Sequence, residues 1–268
     1  MPNGENGKDC HQNMNRQERR AAKVGKSGLP PVGEMLGQAL RLHQGGQLVE
    51  AEALYRQVLA REPGQADATQ LLGLAAHQRG QHAVAIDLIR RAVELRGDQP
   101  HYHANLSQVL RAAGQRDDAE VSYRRALALK PDYLDAWFGL AILMHEMGRA
   151  GDAEVAYRQV IALKPDLAEA QNNLGNILED LGRPADAAQC YAQAAALRPG
   201  DVGMLHNWAA ALLANGDAAK ALEIARRAFG LSETAELKSL LARALKDVRD
   251  GSHDPALRPL VARALAEG

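Results

Sequence analysis

The chain has 268 residues and a formal net charge of −1, with 24% charged and 46% hydrophobic residues. This is the composition of a water-soluble folded protein: it has no basic excess that would draw it to nucleic acid, and no apolar run long enough to span a bilayer. Aromatic residues make up only 4%, against abundant alanine, a balance that favours closely approaching helices.

Residues 1–31 are polar, carry Gly4, Gly7, Gly25 and Gly28, and end on Pro30-Pro31. With no periodic apolar face and no signal-type apolar core, they are expected to be a disordered tail on a cytoplasmic chain. The basic stretch from Met14 to Lys23 reads either as an electrostatic contact with an acidic partner or RNA, or as a solvated tail, and Met14 is a candidate start. The two cysteines, Cys10 and Cys190, are too few for a disulfide framework and fit a reducing compartment. Cys190, beside Tyr191, reads as a small buried hydrophobe.

From residue 32 the chain repeats. Gly46, Gly80, Gly114, Gly148, Gly182 and Gly216 are each 34 residues apart, and five residues after each stands an alanine: Ala51, Ala85, Ala119, Ala153, Ala187 and Ala221. Six glycines at one phase would arise by chance with a probability below about one in a million. The fourth unit shows the physical grammar. Trp137, Leu140, Ala141 and Met144 form one apolar helical face. Gly148 ends that helix in the left-handed region. A second helix buries Ala153, Ala156, Tyr157, Val160 and Ile161, and Pro165 stops it. Ala153 is small because the two helices cross there. Leu72, Gly73, Ala85 and Ala92 carry the second unit. Leu106, Leu110, Tyr123, Ala126 and Pro131 carry the third, and Leu174, Gly175, Leu178, Tyr191, Ala194 and Pro199 the fifth.

This pattern of a large apolar residue, then Leu-Gly/Ala, Gly, Ala, Tyr, Ala and Pro, resembles the tetratricopeptide repeat (TPR) family, bacterial type. The resemblance implies an all-α, right-handed solenoid of six helix-turn-helix repeats, at 32–65, 66–99, 100–133, 134–167, 168–201 and 202–235. The end repeats depart from the pattern, with Gln38 in the first and Ala225 and Glu233 in the sixth, as expected where a repeat has one neighbour only. Residues 236–250, with Leu237, Leu240, Leu241, Ala244 and Leu245 on one side, resemble the capping helix of such arrays. Residues 251–268 resemble the connector to a glycosyltransferase or methyltransferase domain. An alternative identity therefore follows, that of the N-terminal array of a larger enzyme whose catalytic domain is absent from this chain.

Neither a catalytic site nor a cofactor is expected. There is no phosphate-binding loop, no dinucleotide fingerprint after a strand, no H-E-x-x-H and no nucleophile elbow. His101 and His103 point apart on a helix. His43, His77 and His145 share one repeat phase but stand too far apart for one metal, so they read as a solvated or partner-contacting stripe.

In TPR proteins the first helix of each repeat lines the concave face, so the resemblance places the partner site there. One phase holds Gly37, Leu71, Asn105, Gly139, Asn173 and Asn207, with Gln108, Asn172 and Asn176 nearby. Its asparagines are similar to the ladder in O-linked N-acetylglucosamine transferases. Asparagine amides can both donate to and accept from a peptide backbone, and they are expected to be exposed in the free protein. The other reading is that asparagine is merely tolerated on a polar face. Charge is graded, with His43, His77, His101 and Arg111 early and Asp135, Glu146, Glu169, Glu179 and Asp180 later. The basic clamp of chaperone-binding TPR domains is absent, its positions being Leu36, Leu40, Leu71, His101 and Asn105. The expected function is a scaffold, a monomer or weak homo-oligomer, that binds a protein or peptide through Asn105, Gln108, Arg111, Asn172, Asn173, Asn176, Asn207, Glu169, Glu179 and Asp180, with no metal, nucleic acid or membrane.

Overall fold

A computed structural model describes residues 30–247. The expected tail 1–31 lies outside the described residues apart from Pro30 and Pro31, and so do the last residues of the 236–250 segment and the whole 251–268 connector. Among the described residues there are thirteen α-helices and no strand. In chain order they are α1 (Val32–Gln44), α2 (Leu48–Arg61), α3 (Ala66–Gln78), α4 (His82–Leu95), α5 (Pro100–Ala112), α6 (Arg116–Leu129), α7 (Leu134–Glu146), α8 (Ala150–Leu163), α9 (Ala168–Asp180), α10 (Pro184–Leu197), α11 (Val202–Ala214), α12 (Ala218–Leu231) and α13 (Ala235–Asp247). The all-α helix-turn-helix architecture read from the sequence is the one the chain adopts. No helix of the described residues is long and apolar enough to cross a membrane. The chain divides into two compact units, Met1–Leu95 and Arg96–Gly268. The first holds the pairs α1/α2 and α3/α4; the second holds four further pairs and α13.

The turn inside each repeat follows from its glycine. Gly148 sits at φ 72°, where a side chain would clash with its own carbonyl. That conformation lets Arg149 N–H reach back to Met144 O at 2.9 Å, and Gly148 N–H bonds His145 O at 2.8 Å, so carbonyls at the end of α7 are satisfied. The other five periodic glycines take the same conformation, with φ between 70° and 83°.

Packing within a repeat is set by small residues. Ala51, Ala85, Ala119, Ala153, Ala187 and Ala221 are all 0% exposed, as expected at crossings with no room for a longer chain. Gly73 and Gly175 let a second helix approach more closely still. A Cβ added at Gly73 would lie 2.7 Å from Ile89, and one at Gly175 would lie 2.5 Å from the Tyr191 ring. Tyr55, Tyr123, Tyr157 and Tyr191 fill the core at one repeat phase, each buried. Within each unit, every second helix packs on the first helix of the next repeat.

Polar clasps run between successive repeats. In the first unit, Glu52, only 2% exposed, is held by Arg56 at 2.8 Å and Arg79 at 3.0 Å. In the second, Glu120 pairs with Arg124 (2.6 Å) and with Arg149 (2.7 Å) of the following repeat. Glu154 pairs likewise with Arg158 (2.8 Å) and Arg183 (3.0 Å). A carboxylate this shielded needs such partners to remain charged. The hydrogen bond from Arg158, with help from Arg183, holds the Glu154 carboxyl below the usual carboxylate range.

Candidate functional site

The face formed by the first helices of the second unit, α5, α7, α9 and α11, gathers all ten residues singled out from the sequence. Asn105, Gln108 and Arg111 stand on α5; Glu169, Asn172, Asn173, Asn176, Glu179 and Asp180 on α9; Asn207 on α11. Gln108, Glu179 and Asp180 are exposed, while Asn105, Arg111, Glu169, Asn172, Asn173, Asn176 and Asn207 are half-buried.

The expectation of freely exposed amides is not met, because several of the asparagines already have partners. Asn207 Nδ2 donates to Asn172 Oδ1 at 3.1 Å. The Tyr191 hydroxyl donates to Asn176 Oδ1 at 2.7 Å and stands 3.0 Å from Glu179 Oε2. Asn173 hydrogen-bonds the Tyr157 hydroxyl. The cause is the repeat itself: each buried tyrosine brings a hydroxyl up beneath the first-helix face, and that hydroxyl needs a partner once it is out of water. Burial pushes the Tyr123 and Tyr157 phenols up to about 12. Burial pushes Tyr191 higher still, helped by the nearby Glu179 charge.

The charge gradient is also partly neutralised inside the protein. Arg111 Nη1 donates to Glu146 at 2.6 Å, and His145 Nε2 meets Asp180 at 2.8 Å. Glu169 is bound by Arg198. These contacts join residues 35 or 29 apart, one repeat plus or minus a few positions, so a regular period brings carboxylates face to face with hydrogen-bond donors of the neighbouring repeat. The pairing was not legible from the composition of single repeats.

The histidines do not form the expected stripe. His43 is buried, with Nδ1 hydrogen-bonded to the Tyr55 hydroxyl at 3.2 Å, and desolvation lowers its pKa. His77 pairs with His82 through their Nδ1 atoms at 3.0 Å. His103 is buried and donates from Nε2 to Gly97 O at 3.0 Å. Among the described residues, no group of three or more histidine, cysteine, aspartate or glutamate side chains is placed to hold a metal ion. Cys190 is a free, half-buried thiol whose pKa is raised by burial, which opposes thiolate formation.

What sequence reasoning missed is Gly139. It breaks the asparagine phase, and an added Cβ there would stand 2.3 Å from the Tyr123 hydroxyl. The signal was available in the spacing: Tyr123 and Gly139 are 16 residues apart, and so are Tyr157 and Asn173.

Three family models described as tetratricopeptide repeat match the chain, at residues 36–100, 110–177 and 168–201. Similar solved structures include pilF of Pseudomonas aeruginosa, with TM-score 0.67 and 16% identity over 79% of this chain and 96% of that one. YrrB, described as a TPR protein with an unusual peptide-binding site, gives TM-score 0.61 and 16% identity over 72% and 97%. MamA gives TM-score 0.57 and 22% identity over 63% and 92%. No curated protein matches in sequence.

Proposed function

Since the chain belongs to the tetratricopeptide repeat family, we propose that it is an interaction scaffold that binds an extended segment of a partner protein across the first helices of its third to sixth repeats. The observation that carries this reading is the amide row Asn105, Asn173 and Asn207, half-buried on one face with Gln108, Asn172 and Asn176 around it. Such a surface offers donors and acceptors to a main chain without demanding a charge. The peptide-binding site described for YrrB is a precedent on the same fold.

Asn172, Asn173, Asn176 and Asn207 are preorganised by their contacts with each other and with the tyrosines, so a bound segment meets groups that are already oriented. The exposed acids Asp135, Glu179 and Asp180 favour a basic stretch in the partner, and binding weakens as salt rises.

The test is comparative capture from a cell extract. The intact chain and an Asn105→Ala/Asn173→Ala/Asn207→Ala variant are used as baits, and the captured proteins are identified by mass spectrometry. Partners held by this face are lost from the variant while circular dichroism shows it folded, and the purified partner binds the variant more than about tenfold more weakly, as expected for three lost hydrogen bonds. Equal capture and equal affinity would place recognition elsewhere on the chain.

A further inference from the structure

The two repeat phases that flank the amide row single out α7. Ala104, Asn172 and His206 share a phase with Phe138, and Gln108, Asn176 and Ala210 share one with Ile142. Among α5, α7, α9 and α11, only α7 therefore carries a large apolar residue at both. Phe138 and Ile142 stay half-buried, whereas Leu140 and Leu143 of the same helix are 7% and 0% exposed in the core. Phe138 meets the Tyr157 ring edge to face, with centroids 5.9 Å apart and an interplanar angle of 86°, so its orientation is set before anything binds. Between the two phases the amide row lapses. Gly139 stands where α5 and α9 carry Asn105 and Asn173, and the Tyr123 hydroxyl fills the space that a side chain there would take. One turn before Phe138, on the same face, stands Asp135, which is exposed and in no ion pair among the described residues. Glu146, Glu169 and Asp180 of this face are already bound to Arg111, Arg198 and His145.

We propose that Phe138 and Ile142 form an apolar seat for one large aliphatic or aromatic side chain of the partner segment, and that a lysine or arginine next to it in that segment faces Asp135. This rests on the reading that the partner lies across the first helices, and it adds the sequence that such a segment carries. The seat is continuous with the amide row on both sides, since Arg111 to Glu146 joins α5 to α7 and His145 to Asp180 joins α7 to α9. Amides answer a main chain and gain little from an apolar side chain. Two apolar residues do the reverse, because covering them removes area from water. Neighbouring helices lie about 8–10 Å apart and an extended chain advances about 3.3 Å per residue, so the step from α7 to α5 or α9 takes about three residues. An odd step turns the side chain away from the helices, which leaves the main chain to Asn105 on one side and Asn173 on the other. The segment recognised is therefore about seven residues long, with one large apolar residue at its centre and a cation beside it.

The experiment selects peptides from a random-sequence library against the full chain and takes the tightest as probe. The selected sequences share one large apolar residue with Lys or Arg beside it. Alanine in place of that residue weakens binding to the parent about tenfold or more, the effect of an apolar side chain left in water. Asp135→Asn weakens binding about 2- to 5-fold and reduces its salt dependence. On Ile142→Ala the same peptide replacement costs much less, and Ile142→Asp moves the selected preference at that position from apolar residues to Lys or Arg. Circular dichroism shows the variants folded, and Ile142→Thr takes the place of either that is not. If the peptide's apolar residue counts as much on the Ile142 variants as on the parent, the seat is overturned, while loss of the peptide by the asparagine triple variant would leave the amide row standing. If the triple variant keeps the peptide and the Ile142 variants lose it, the seat stands and the amide row falls. If the selected peptides respond to neither set of changes, both readings fall. If Ile142→Ala turns an oligomer into a monomer in sedimentation, a second copy of the chain covers the seat and the proposal is overturned.

Discussion

Asn207 donates its side-chain amide to Asn172 across 3.1 Å, joining residues 35 apart on the first helices of neighbouring repeats. The contact makes the amide row part of the fold as well as a surface. Asn207→Ala and Asn172→Ala are each expected to cost about 0.5–1.5 kcal/mol, the net value of one such bond. The double variant should cost less than the sum, because either change alone already removes the bond. Urea unfolding of the three variants checks this; strict additivity would show that the two amides do not depend on each other.

Ala153→Leu is expected to cost on the order of 1–3 kcal/mol by overpacking. Ala153 is 0% exposed where α7 and α8 cross, and Ala119 and Ala187 occupy the same place in their own repeats. Leucine at any of the three should lower the melting temperature. Three variants that melt with the parent would contradict the packing register.

Gly148→Ala is expected to cost about 1–2 kcal/mol, because an L side chain in the left-handed region meets its own backbone. Nothing lies within 4 Å of the added Cβ, so the penalty comes from the backbone alone and Gly148→Asn should recover part of it. Thermal melts of the two variants separate this from a packing effect: equal losses would point to crowding.

The repeat period was enough to place the helices, because spacing determines local structure. Gly148 needs only its own φ to end a helix, and Ala153 needs only the facing helix of its own repeat. The site was less legible because its contacts join positions 29 or 35 apart, where two repeats differ from each other. Arg111 with Glu146, Asn172 with Asn207 and Glu169 with Arg198 depend on which residue the neighbouring repeat happens to offer. His43 was misread for the same reason. It shares a phase with the exposed His145, but the Tyr55 hydroxyl draws it into the core.

The first unit should lose stability in mild acid. Desolvation lowers the pKa of His43 below its ordinary value of 6.5, only partly opposed by a hydrogen bond with Gln78. Desolvation, followed by the charge of His82, lowers that of His77. A depressed histidine favours the neutral form in the folded state, so the unfolded chain takes up protons first as pH falls. The stabilisation is therefore fully present above pH 6.5 and declines as pH drops through the lower folded-state values. A series of urea transitions between neutral pH and pH 5, followed by circular dichroism, should show a falling midpoint. His43→Asn/His77→Gln should flatten that fall relative to the parent, whatever its effect on stability at neutral pH. If the variant and the parent lose stability in parallel across this window, the two buried histidines do not carry the acid response.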